Sequence, residues 1–283
     1  MLALAARAAP RPGEFAAVTS HLATVRSRML MSFDIARILR IGSHTRGTAI
    51  RTYSDLDVLA VLRRNEAKWG RRIVSSDTLL SRVIEDLQGR FPYTAVRGDQ
   101  QAAVIGFSAG QRSLDVVPAL WERFSEKHPV YAIPDGQGGW IETSPEAHNR
   151  RFQIAVARSG GKLKGVCQLL RWWKFSRVQP IPLQTFHTDV LLAAQDTCVG
   201  ARTYAQCLFL AFQLLARRQC RSLQDPLGMG GAIPAAKTDA QRRSLIDAVE
   251  YSLQHASSAI ELEASARFEE ANVQWNLVFN GCF

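Results

Sequence analysis

The chain has 283 residues, 47% of them hydrophobic, with 35 Lys plus Arg against 25 Asp plus Glu and a formal charge of +10. That is ample apolar material for one large domain or two small ones, and it excludes a disordered chain. The five cysteines are odd in number and form no C-x-x-C pair, so neither a disulfide framework nor a zinc knuckle is written here.

No apolar run reaches the roughly 18 residues that a membrane span requires. The best candidate, "CLFLAFQLLA", is bounded by Gln206 and Arg217. Residues 1–34 are expected to form a leading helix. Their Ala-rich start is interrupted by Arg7 and lacks a basic stretch ahead of it, which fits a signal peptide poorly. A cytoplasmic, monomeric protein with no membrane contact is the expectation.

The segment "RILRIGSHTRG" reads as a helix or strand ending at Ile41, followed by a loop. Gly42 can bring backbone N–H groups close to a ligand, and the Ser43 hydroxyl can donate to phosphate. Next comes "DLDVLAVL", whose β-branched and apolar run predicts a strand buried on both faces. Side chains at i and i+2 of a strand share a side, so Asp55 and Asp57 aim at one point. Two carboxylates held together repel unless a proton or cation lies between them, which suits a hard divalent metal. A phosphate chain cradled by Gly42 and Ser43 would then be bridged to the carboxylates by Mg²⁺.

A third carboxylate is expected on a neighbouring strand. Asp115 in "RSLDVVPAL" supplies it, after a hairpin whose turn is predicted at Ala109-Gly110. A lone D-x-D is ordinarily a solvated strand end, and a lone Gly-Ser is commoner still. What carries weight is their occurrence in order, with an apolar strand and a later strand aspartate.

Farther along, residues 147–188 contain no acidic side chain, while Arg150, Arg151, Arg158, Lys162, Lys164, Arg171, Lys174 and Arg177 all fall inside. That stretch should face something anionic. In "KLKGVCQLLRWWKF", Lys164, Gln168 and Arg171 recur at helical spacing on one face, which could reach phosphate oxygens. Lys164 is as readily a solvated helix charge. His187 reads as a hydrogen-bonded packing residue, and Trp172 and Trp173 as core anchors. Residues 239–278 have helical periodicity, with Leu245, Val249 and Leu253 on one stripe.

"IGSHTRGTAIRTYSDLDVLAVL" resembles the signature of the DNA polymerase β-like nucleotidyltransferase superfamily, a hydrophobic-Gly-Ser followed by D-x-D. The R-G-T and S-D variant is most similar to the group containing oligoadenylate synthetases, animal cyclic GMP-AMP synthase and the bacterial cyclic-oligonucleotide synthases called CD-NTases. "KLKGVCQLLRWWKF" and "IPLQTFHTDVLLAA" resemble two helices of the companion helical domain in those enzymes.

The resemblance implies an α+β fold: a polymerase β-like core with a mixed sheet over residues 35–145, then a C-terminal helical bundle over 146–283. The active site would lie in the cleft between the lobes, braced by residues 1–34. It implies that Gly42 and Ser43 hold the donor triphosphate and that Asp55, Asp57 and Asp115 bind two Mg²⁺ ions, or Mn²⁺. Arg171 falls where related synthetases have a triphosphate-binding Lys, so its guanidinium would grip the γ-phosphate, with Lys164 the second candidate. Thr185 and Phe186 stand where the group has Ser and Tyr; Thr keeps the hydroxyl for phosphate and Phe keeps a ring for the donor base, core packing being the rival reading of Phe186.

The implied activity is template-independent nucleotidyl transfer, making cyclic di- or trinucleotide second messengers from ATP and from GTP, UTP or CTP, with release of pyrophosphate, in bacterial antiphage defence. A regulatory protein or nucleic acid would be the activator. Two alternatives share these residues: an RNA or tRNA terminal nucleotidyltransferase or tRNA-modifying toxin, and a catalytically silent nucleic-acid-binding sensor.

Overall fold

The computed structural model describes residues 1–107 and 112–283, except for the Trp69 side chain. The expected Ala109-Gly110 turn lies outside the described residues. The chain divides into two units, the first comprising Arg11–Gly47 and Arg51–Asn149, the second Met1–Pro10, Thr48–Ile50 and Arg150–Phe283.

The single leading helix expected over residues 1–34 is instead two, α1 (Leu2–Ala8) in the second unit and α2 (Ala16–Ser32) in the first. The break has a local cause. Pro10 and Pro12 withhold N–H donors, and Gly13 adopts a φ of +76°.

In the first unit, β1 (Ile35–Ile41) runs into a short helix α3 (Gly42–Arg46), followed by β2 (Leu56–Leu62). A small hairpin, β3 (Lys68–Trp69) and β4 (Arg72–Ile73), precedes α4 (Ser76–Arg90). Then come β5 (Ala95–Asp99), β6 (Ala102–Gly106), β7 (Leu114–Ser125), β8 (His128–Pro134) and β9 (Trp140–Thr143). A seven-stranded mixed sheet is ordered β1-β2-β7-β6-β5, with β8 on β7 and β9 on β8. Only β2 and β7 pair in parallel among its described strands. A parallel pair needs a long crossover, and α4 with β5 and β6 occupies it.

Strand alternation sorts β2 into two faces. Leu56, Val58, Ala60 and Leu62 join Leu114, Val116 and Leu120 of β7 in a core covered by α2 and by Leu79, Leu80, Val83 and Leu87 of α4. Leu59 and Val61 face the other way with Val117, Ala119 and Tyr131. By the same period of two, Asp57 and Asp115 fall on this second face.

Helix α5 (Pro145–Arg158) leads from the first unit into the second. The second unit adds α6 (Lys162–Phe175), α7 (Thr185–Ala194) and α8 (Tyr204–Arg217), a two-residue hairpin of β10 (Leu223–Gln224) and β11 (Ala232–Ile233), then α9 (Asp239–Ala264) and α10 (Phe268–Val278). Its core gathers Trp173, Phe212, Trp275 and Phe279. The Trp173 indole donates to the Ser252 hydroxyl at 2.8 Å, so the buried ring keeps a partner for its polar edge. Gly165 lets α6 approach α8, since a Cβ there would lie 2.6 Å from Tyr204 Cε1. The periodic segment 239–278 is two helices, with Ala266 at φ +57° between them. Among the described residues no helix is long and apolar enough to cross a membrane.

Candidate active site

β1 and β2 pair antiparallel, with Ile41 opposite Asp57. The chain therefore turns into α3 beside the aspartate strand. The loop expected after Ile41 is this five-residue helix, closed by Gly47 in the left-handed region at φ +72°. The Thr45 hydroxyl donates to the Gly42 carbonyl at 3.1 Å and accepts from Asn149 Nδ2 at 3.0 Å. Gly42 meets two constraints together. Its φ is +73°, and a Cβ built on it would stand 1.9 Å from Asp57 Oδ2. Only glycine lets the backbone lie against that carboxylate.

Asp55 immediately precedes β2, and Asp57 lies within it. The parallel register places Asp57 opposite Asp115 on β7. Asp55 accepts the Ser113 N–H at 3.3 Å, and Asp115 accepts the Ser113 hydroxyl at 3.1 Å. Burial, then the charge of Asp55, pushes the Asp115 carboxyl up to about 6, against the Ser113 hydrogen bond, which pulls it down. Crowded like charges of this kind are what a hard dication relieves, and carboxylate oxygens are the donors Mg²⁺ takes. The three fit such an ion in kind and in their place on the strands. As the side chains stand they are not gathered, and among the described residues no group of three His, Cys, Asp or Glu is close enough to hold an ion.

The second unit corrects part of the expected set. Arg171 is 3% exposed and forked onto Asp189, at 2.7 and 2.8 Å, so its charge is met inside the unit instead of facing a γ-phosphate. Thr48 donates to the same carboxylate at 3.3 Å, and Gln168 donates to the Ala49 carbonyl at 3.1 Å. The face carrying Lys164, Gln168 and Arg171 is thus largely interior, with Lys164 alone of the three exposed. Phe186 packs against the helical core, and Thr185 opens α7 half-buried. His187 is buried with Nε2 3.2 Å from the Arg221 carbonyl, and burial lowers it to about 4, so it is neutral at pH 7.

Sequence reasoning missed Arg112 and Ser113. The Arg112 guanidinium donates to the Ser54 carbonyl at 2.7 Å, pairs with Glu14 and lies 4.5 Å from the Phe15 ring centroid. The single available signal was the period of two that puts Ser113 on the side of Asp115.

A family model described as the Second Messenger Oligonucleotide or Dinucleotide Synthetase domain, SMODS, matches residues 4–154, more than half of the chain. The chain belongs to the SMODS family. It is a nucleotidyltransferase, a CD-NTase that makes cyclic oligonucleotide second messengers. It is 24% identical over 272 residues to a protein named probable cyclic nucleotide synthase of Bacillus cereus strain VD146, covering 87% of this chain and 82% of that one. To the cyclic AMP-AMP-AMP synthase of Escherichia coli strain MS 115-1 it is 23% identical over 196 residues, 67% of this chain and 59% of the relative. The fold of this SMODS protein matches solved CdnC of E. coli MS115-1. With ATP the TM-score is 0.72 at 16% identity, covering 98% of this chain and 95% of that one. In the CdnC:HORMA-deltaN complex it is 0.70 at 16% identity, covering 98% and 94%. The mixed α+β class expected from the sequence is the one observed.

Proposed function

We propose that Gly42, Ser43, Asp55, Asp57 and Asp115 are the site at which this synthase joins nucleoside triphosphates into a cyclic di- or trinucleotide, releasing pyrophosphate at each bond. The observation that supports this most is the register of Asp57 with Asp115, with Gly42 seated against Asp57. Two Mg²⁺ ions, or Mn²⁺, held by the three aspartates would supply neutralising charge at the α-phosphate and acidify the attacking ribose hydroxyl. Asp55 and Asp57 would hold the ions, and Asp115 would hold the one on the acceptor side. As a carboxylate, Asp115 would also be the group beside the attacking hydroxyl that can take its proton. The Ser43 hydroxyl would donate to the donor phosphates, and Gly42 lets the backbone that carries it lie against Asp57. Holding donor and acceptor in line provides much of the remaining acceleration.

ATP is the proposed donor, with GTP, UTP or CTP as its partner in a mixed product. Lys164 and Thr185 are proposed as further triphosphate contacts on resemblance alone, and Phe186 as a wall of the base pocket; Arg171 is not retained. By likeness to the CdnC complex, a HORMA-type protein is the proposed regulator, and antiphage defence the proposed setting.

The test is incubation of the purified protein with labelled nucleoside triphosphates and Mg²⁺ or Mn²⁺, followed by phosphatase, thin-layer separation and mass spectrometry. A small phosphatase-resistant product formed without RNA, and lost in Asp57→Asn, is the expected result. Label retained only on added RNA, or wild-type turnover by folded Asp57→Asn, would overturn the assignment.

A further inference from the structure

We infer that Arg112 and Ser113 form a clamp that orients Asp55 and Asp115, acting as positioning residues for the metal–triphosphate site; the inference rests on the assignment of that site made above. Asp55 lies just outside the strand ladder, because β1–β2 pairing ends at Ile41 opposite Asp57. A carboxylate there needs something other than the sheet to fix it, or ordering it on binding would cost conformational entropy.

Ser113 supplies that fixing through three bonds. Its carbonyl accepts the Leu56 N–H at 3.1 Å, its own N–H donates to Asp55 Oδ1 at 3.3 Å, and its hydroxyl donates to Asp115 Oδ1 at 3.1 Å. One residue therefore touches both carboxylates. Each of the two carboxylates is held by Ser113 through its Oδ1.

Arg112 secures the approach to the same aspartate. Its side chain is 9% exposed, with Nη1 on the Ser54 carbonyl at 2.7 Å, Nη2 on Glu14 and the Phe15 ring beneath. Glu14 also accepts the N–H of Thr52 at 2.7 Å and of Arg11 at 2.8 Å. The segment leading into D-x-D is thus tied at Thr52 and at Ser54 to residues 11–15. A guanidinium can bond in two directions while stacked on a ring, which an ammonium cannot. Groups that orient metal ligands in this way are commonly worth 10- to 100-fold in metal affinity.

Mn²⁺ titration followed by electron paramagnetic resonance, with a non-hydrolysable ATP analogue present, tests the clamp without turnover. Ser113→Ala should bind Mn²⁺ about tenfold more weakly with an unchanged melting temperature, and Ser113→Thr, which restores the hydroxyl, should return wild-type affinity. Arg112→Met, which keeps the apolar stem over Phe15, should also weaken binding; if it does not fold, the Ser113 pair decides. Asp57→Asn separates the two ideas. Wild-type affinity in Ser113→Ala, beside loss in Asp57→Asn, overturns the clamp and leaves the metal site standing. Wild-type affinity in Asp57→Asn overturns the metal site and the clamp with it.

Discussion

At Gly42 a left-handed φ and a carboxylate at van der Waals range exclude every side chain for separate reasons. Alanine would add strain of about 1–2 kcal/mol in the left-handed region and would push Asp57 off its position. Gly42→Ala should therefore lower the rate at least about 100-fold while the protein stays folded, since a misplacement of about 1 Å can cost that much. Single-turnover kinetics beside a melting curve check it. Asp115 gives a prediction of a different kind. Its folded value of about 6 lies above the ordinary 3.8, so between these pH values the folded protein keeps a proton that the unfolded chain releases. Stability from this group is complete below about pH 4 and is lost as pH rises through about 6, on the order of 2–3 kcal/mol. In EDTA, Asp115→Asn should match the wild type near pH 4 and exceed it near pH 7 in urea unfolding. Equal pH slopes for the two proteins would refute the assignment.

At the scale of elements, α6 shows what periodicity can and cannot say. Spacing places Lys164, Gln168 and Arg171 on one face, but it does not say which way that face turns. The face is turned inward because Asp189 of α7 sits opposite Arg171, and Ala49 offers a carbonyl to Gln168. A pairing across separate segments leaves no local mark. The same holds for Arg112, whose partners Glu14 and Ser54 are far away in sequence. By contrast β2 was legible from its own residues, since both its faces are apolar beyond Asp57. A fully buried ion pair is costly to break from one side, about 3–5 kcal/mol, and cheap to replace as a whole. Arg171→Met or Asp189→Leu alone should thus each destabilise by about that amount, and the double variant should recover most of it. A double-mutant cycle in chemical denaturation measures this. Additive losses would mean that the two side chains are not coupled.

Across the whole molecule, the fold class was readable because its signature lies in consecutive residues, while the proposed site depends on a strand register that brings residues 57 and 115 together from separate segments. Charge is also a property of the whole, and it pulls two ways here. The net charge of +10 attracts a polyanionic nucleotide, yet Asp55, Asp57 and Asp115 make the proposed site negative. Ion pairs such as Arg28–Asp86 and Arg112–Glu14 use up cations locally without altering the sum. At low ionic strength the Debye length, about 30 Å at 0.01 M, lets the long-range positive field act on approach; near 0.15 M it shrinks to about 8 Å and only neighbouring charges count. Raising KCl from about 0.01 to 0.15 M at saturating Mg²⁺ should therefore lower kcat/KM for ATP several-fold, through encounter. kcat should change little, because a bound triphosphate meets charges at contact distance. A kcat/KM that is flat or rises with salt would show that the aspartates, and not the basic surface, govern how substrate arrives.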